Sequence, residues 1–144
     1  MGMSCRKMLG IIALIAAVAV PAWALQEVSV DDYDAAMKTI GATQRGVRGH
    51  MEAQSATELG ADGAKFVEAF GKAEAFWKAR NVEDAAEFAA TALAAARTFQ
   101  EAGAAGDFEA AGAAFGELRQ TCRPCHQAYR ERLEDGSYRI KQGS

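Results

Sequence analysis

Proline, cysteine and large aliphatic side chains are all scarce in this chain. Two prolines, Pro21 and Pro124, punctuate 144 residues, and no stretch reads as a low-complexity linker. Of three cysteines, Cys5 stands near the start, while Cys122 and Cys125 are three apart. A disulfide between such close neighbours would close a very small loop, stabilise little and carry strain, so a structural staple explains the pair poorly. Beyond residue 24 there are only five leucines and two isoleucines. Alanine is abundant instead; it favours helix and lets helices approach closely, but buries little area per residue. A large apolar cofactor would supply some of the missing core. Convincing strand patterns are absent too.

Basic residues are outnumbered, 16 against 19 acidic, for a formal charge of −3. Two of the basic residues and none of the acidic ones lie in residues 1–24. The remainder is therefore more acidic still, which argues against general nucleic-acid binding. That first stretch has its own layout. Arg6 and Lys7 precede an apolar run at 11–20, too short to span a bilayer, and Ala22-Trp23-Ala24 follows as a small-x-small cleavage site. This is the pattern of a secretory signal peptide, 1–24, cleaved after Ala24. The expectation is an exported, periplasmic domain, 25–144, with no stable membrane insertion after cleavage; a retained N-terminal anchor is the alternative. Cys5 precedes the apolar run, where a lipoprotein cysteine would not be, and reads as a leader residue.

Four segments show helical spacing. Helix A is expected over 30–54, capped by Ser29, with the seam Tyr33, Met37, Ile40, Gln44, Val47, Met51. Helix B is expected over 62–80, with Phe66, Phe70, Ala73 and Trp77 in its stripe. Helix C starts at 81 or 82 and runs to about 102, with Ala85, Ala89, Ala92, Ala96 and Phe99. Helix D follows Asp107 and runs to about 134, with Gly136 as a stop. Short connections imply antiparallel neighbours, hence an all-α, up-down-up-down four-helix bundle. The polar tail from 137 onward has no firm role in this reading.

Cys122-Arg123-Pro124-Cys125-His126 is a C-x-x-C-H sequence, the attachment signature of c-type haem. Residues three apart on a helix share a face, so two sulfurs can reach the two haem vinyl groups, and the next residue offers imidazole to the iron. The register agrees. The stripe of helix D reads Phe108, Ala111, Phe115, Leu118, Cys122, Cys125, Tyr129, Leu133, in steps of three and four. An accidental five-residue match has no reason to fall on the buried seam. Pro124 is a misfit inside a helix and marks a local irregularity. Two other readings compete: a thioredoxin-type dithiol, which lacks its strand–helix setting, and a structural zinc site, for which only His50 remains as a further histidine.

The sixth iron ligand separates an electron carrier from a gas binder. After leader removal the candidates are Met37, Met51 and His50. In an up-down-up-down bundle the end of helix D lies beside the start of helix A. His126 lies roughly 12 Å from that end and Met37 roughly 10 Å, whereas His50 and Met51 lie roughly 30 Å along helix A. Met37 is therefore the expected ligand, against the plainer reading of a gap-filling core methionine. Met51 reads as core and His50 as a surface histidine. Arg130, one turn after His126, is a candidate partner for a haem propionate, and Phe115, Leu118, Ile40 and Trp77 are haem-pocket candidates.

The chain resembles the class II c-type cytochromes, the cytochrome c′ and cytochrome c-556 family, across essentially the whole of 25–144. The likeness is most specific in Ala114-Phe115-Gly116 and from Cys122 through Tyr129-Arg130. By this resemblance Cys122 and Cys125 match the thioether cysteines, His126 the proximal ligand, and Arg130 an arginine that often follows it. The c-556 type has six-coordinate iron with a methionine from helix A, and the stretch from Ala36-Met37-Lys38 to Gly41 looks like it. Cytochrome c′ itself is five-coordinate and binds nitric oxide or carbon monoxide; many such sequences carry an arginine after an aromatic residue of helix A, where this chain has Asp34 after Tyr33. The expected function is single-electron transfer between periplasmic redox partners through one covalent haem c ligated by His126 and Met37. The alternative is a five-coordinate protein binding or sensing NO or CO. No enzyme activity is expected, since no dedicated acid–base residue stands near the motif. The resemblance also allows a homodimer through helices A and B.

Overall fold

The computed structural model describes residues 28–141; the expected leader and its cleavage site lie outside them. Four helices follow one another: α1 Val30–Glu52, α2 Ala56–Ala79, α3 Glu83–Ala105 and α4 Phe108–Tyr129. A short antiparallel hairpin closes the described chain, β1 Arg130–Arg132 and β2 Tyr138–Ile140. Side-chain caps explain three of the helix starts. The Ser29 hydroxyl accepts from the Asp32 N–H at 3.1 Å, and the Asp32 carboxylate accepts from the Ser29 N–H at 3.2 Å, a reciprocal box. Ser55 caps α2 and Asp107 caps α4 by side-chain acceptance alone, from the N–H groups of Glu58 and Ala110. α3 enters at Val82 with no side-chain cap, after a turn in which Asn81 takes the left-handed region at φ 57°. The turns are short, so successive helices run antiparallel.

The expected seams are buried in α2 and α3 and partly so in the outer helices, where Met37, Gln44 and Met51 of α1 are half-buried and Ala111 and Leu118 are the buried members of the α4 seam. Tyr33, Ile40 and Val47 of α1, Phe66, Phe70, Ala73 and Trp77 of α2, and all five named residues of α3 are buried. They fall into two clusters. One centres on Phe66, Phe70, Phe99 and Leu118; the other joins Tyr33, Phe76 and Trp77 to Ala85, Ala86 and Ala89. α2 and α3 lie closest together. A Cβ placed on Gly63 would overlap the Cα and Cβ of Gln100, and one on Gly103 would stand 2.8 Å from Leu59 Cβ. α1 leans on α2 and α4 on α3, while the backbones of α1 and α4 scarcely approach each other. The bundle is thus open along one edge, where side chains rather than backbones meet.

Several expectations need correction. α2 begins six residues earlier than the pattern suggested, because Ser55 caps it and Gly60 is tolerated inside a helix that packs on Ala104. α3 runs through Gly103 to Ala105 for the same packing reason and ends at Gly106, φ 74°. α4 stops at Tyr129 rather than near 134, since residues 130–140 form the hairpin. His50 is half-buried: its Nδ1 lies 2.6 Å from Oδ2 of the buried Asp62, tying the end of α1 to α2.

The α2–α3 contact makes a direct prediction. Gly63→Ala should lower the stability of the holoprotein by about 1–3 kcal/mol, because the added methyl meets backbone. Gly71→Ala, on the same helix with nothing within 4 Å, should be neutral or stabilising by up to about 1 kcal/mol. Thermal melts of the two variants side by side check both signs.

Candidate haem site

The second half of α4 carries the motif. Cys122, Cys125 and His126 are all half-buried on the edge of the bundle facing α1, and both thiols are free. The Gln44 side-chain amide of α1 donates to Cys122 Sγ at 3.6 Å, a hydrogen bond across the open edge. Burial, with the neighbouring Cys122 and Asp84 adding to it, pushes the Cys125 thiol up to about 11. That is opposite to the acidified thiolate that dithiol exchange requires. Burial also lowers His126, and the Arg130 guanidinium lowers it further. Both effects keep the imidazole neutral, the form that ligates iron. Pro124 is exposed on the outer flank, and α4 continues through it.

Beside these residues lies an open depression of about 510 Å³, lined among others by Gln44, Cys122, His126, Arg130 and Tyr138. That is within the roughly 300–1,000 Å³ of small-molecule and cofactor sites. Two thiols, an imidazole and an open edge fit a haem joined by thioethers. The set fits zinc poorly. His50 is held by Asp62, and among the described residues no three metal-ligating side chains come together.

Met37 is half-buried and packs against both apolar clusters. Two side-chain pairings fix its level. Gln44 meets Cys122, and a Cβ on Gly112 would stand 3.4 Å from Met51 Cε. Carried along the antiparallel helices, these pairings set Met37 opposite residues 126 to 129. Met51 is at the far end of α4, as the length argument expected, although α4 itself ends sooner. Ile40 and the fully buried Leu118 share one cluster, with Phe115 packed against it 6.2 Å from the Phe66 ring centre. Trp77 belongs to the other cluster and sits 5.0 Å from the Tyr129 ring. Arg130 is exposed; its backbone N–H caps the His126 carbonyl and its guanidinium lies 4.0 Å over the Tyr138 ring. Sequence reasoning missed Arg119, Arg123, Arg132 and Tyr138 as cavity walls. The four-residue spacing of Arg119 and Arg123 beside the motif was a readable signal; the fold-back that brings Arg132 and Tyr138 was hidden by the helix expectation.

A four-helix bundle with C-x-x-C-H at its open edge defines a helical c-type cytochrome. The family described as Cytochrome C′ matches residues 29–130, and the chain belongs to the cytochrome c′ family. Over 51 residues it is 39% identical to cytochrome c′ of Allochromatium vinosum, covering 35% of this chain and 33% of that protein. The chain thus spans about a third of the curated relative it matches. No solved structure matches. Its cofactor is one covalently attached c-type haem. Among the described residues no helix is long and apolar enough to cross a membrane.

Replacing both cysteines, Cys122→Ala with Cys125→Ala, should abolish covalent haem. After denaturing electrophoresis the variant band should give no haem peroxidase stain, whereas the native band stains. A stained double variant would remove these sulfurs from the attachment.

Proposed function

We propose that this chain is an exported, periplasmic, non-enzymatic haem c protein, cleaved after Ala24, in which Cys122 and Cys125 hold the haem and His126 ligates the iron. The leading reading is a five-coordinate protein that binds or senses NO or CO. The observation that carries it is the match of residues 29–130 to the cytochrome c′ family together with the cytochrome c′ relative. This favours the alternative over the electron-carrier expectation. In this reading Met37 is a half-buried apolar neighbour that fills space and restricts ligand access.

A second reading keeps Met37 as sixth ligand and the protein as a single-electron carrier. It is favoured by one specific observation: the pairings of Gln44 with Cys122 and of Met51 with Gly112 bring Met37 level with residues 126 to 129. In either reading Arg130 is the candidate for a propionate. The α1–α2 homodimer would rest mainly on small and polar side chains, because among the described residues Val30, at the start of α1, is the large apolar side chain those two helices expose.

Bound haem supplies a metal centre that takes up one electron or one small ligand. Visible and near-infrared spectra separate the readings. The five-coordinate protein should give a high-spin ferric spectrum without a far-red sulfur-to-iron band, and its reduced form should bind CO; Met37→Ala should leave the spectrum unchanged and quicken CO binding. A low-spin spectrum with that band, abolished by Met37→Ala, would overturn the leading reading in favour of the second.

A further inference from the structure

Charge is distributed unevenly along the chain. Residues 25–118 hold eight basic and sixteen acidic side chains, while residues 119–144 hold six basic and three acidic. Four of those six, Arg119, Arg123, Arg130 and Arg132, line the cavity that contains Cys122 and His126, and no carboxylate lines it. Elsewhere most helix cations are matched: Lys38, Arg48, Lys72 and Lys78 each pair with a carboxylate four residues away, and Lys65 with Asp62, while Arg45, Arg80 and Arg97 stand singly and do not cluster around a cavity. None of the four arginines makes an ion pair among the described residues, whereas Arg139 is matched by Glu131 on the hairpin. Arg119 and Arg123 are themselves four apart on α4, where like charges repel and weaken a helix. Both also border a second depression on the outer flank of α4.

A haem brings two propionates, whose two negative charges balance only two of the four guanidinium charges. The surplus faces water. At the same mouth stands Tyr138, 51% exposed, with Arg130 over its ring. Tyrosine and arginine are the residues on which protein–protein contacts most depend. Arg132 and Tyr138 belong to the hairpin, beyond the residues that match the family.

We propose that this arginine-rich mouth docks an acidic patch of a one-electron redox protein. One electron passes from the partner's reduced centre to ferric haem, making it ferrous, with no bond made or broken. The inference rests on haem attachment at Cys122 and Cys125. It holds for either distal reading, because a site that binds CO must also be reduced.

The test uses ferrous holoprotein, its haem first verified as a pyridine haemochrome; absence of haem would refute the attachment and with it this proposal, before any rate is measured. Stopped-flow oxidation by hexacyanoferrate(III) is compared with oxidation by the cationic tris(phenanthroline)cobalt(III). The anionic oxidant should slow as salt rises, although the protein is net negative, and the cationic one should quicken. R119E/R123E/R132E should cut the anionic rate at low salt about tenfold. Poly-L-glutamate should slow the anionic reaction of the native protein but not of the variant. An anionic rate that rises with salt, or a variant with unchanged rates, overturns the proposal. So does binding to phosphatidylglycerol vesicles through these arginines without any effect of poly-L-glutamate, which would make a lipid surface the occupant.

Discussion

The contact between α2 and α3, with Gly63 against Gln100 and Gly103 against Leu59, sets the separation of the two central helices. A side chain at either glycine would clash there, so the pair forms a tight spine with few large aliphatic residues. That resolves the compositional puzzle of a bundle with few leucines. Phenylalanine supplies the volume that alanine lacks: Phe66 of α2 and Phe99 of α3 meet at 5.8 Å, and Phe115 of α4 lies 5.7 Å from Phe99. Interior volume is concentrated in a few rings, and the rest of the spine is packed mostly by alanine and by the two glycines against Gln100 and Leu59.

With the spine so tight, α1 and α4 are each fixed to one side of it and not to each other. Their shared edge is bridged by long side chains: Gln44 of α1 reaches Cys122, and Met51 lies over Gly112. An edge built from flexible side chains can open around a flat cofactor at little cost to the spine. The motif sits there because the seam of α4 continues into it, so the geometry that buries Leu118 also turns Cys122 and Cys125 toward α1.

Where seams were regular, the sequence was easy to read. The stripes of α1 and α3 and the register of the C-x-x-C-H residues follow from steps of three and four. Boundaries were harder because glycine was taken as punctuation. Gly60 and Gly103 lie inside helices, where close approach to Ala104 and Leu59 explains them, and this depends on a partner helix the local sequence does not reveal. Ser55 with Glu58 three residues on was a legible start for α2, outweighed by the glycine. The bond of His50 to Asp62 joins two helices and leaves no local trace, so a half-buried histidine read as a surface one. Asp135-Gly136 was a hairpin signal, but the helical seam ran on to Leu133 and masked it.

The early end of α4 has a physical logic. Helix termini leave carbonyls without partners, and a cation there is favourable. Lys141 meets both needs: its backbone N–H donates to the Tyr129 carbonyl at 2.9 Å and its ammonium to the Gln127 carbonyl at 2.8 Å. Ile140 packs beside Tyr129 against the cluster of Tyr33 and Trp77. These contacts require the chain to reverse, and the turn has Gly136 at φ 84°. Had α4 continued to Glu134, Arg132 would have been carried along the helix axis away from His126. The reversal instead sets Arg132 and Tyr138 on the wall of the same cavity as His126. The polar tail that the sequence left without a role thus caps the helix that bears the C-x-x-C-H motif and shapes the surface at that end of the molecule.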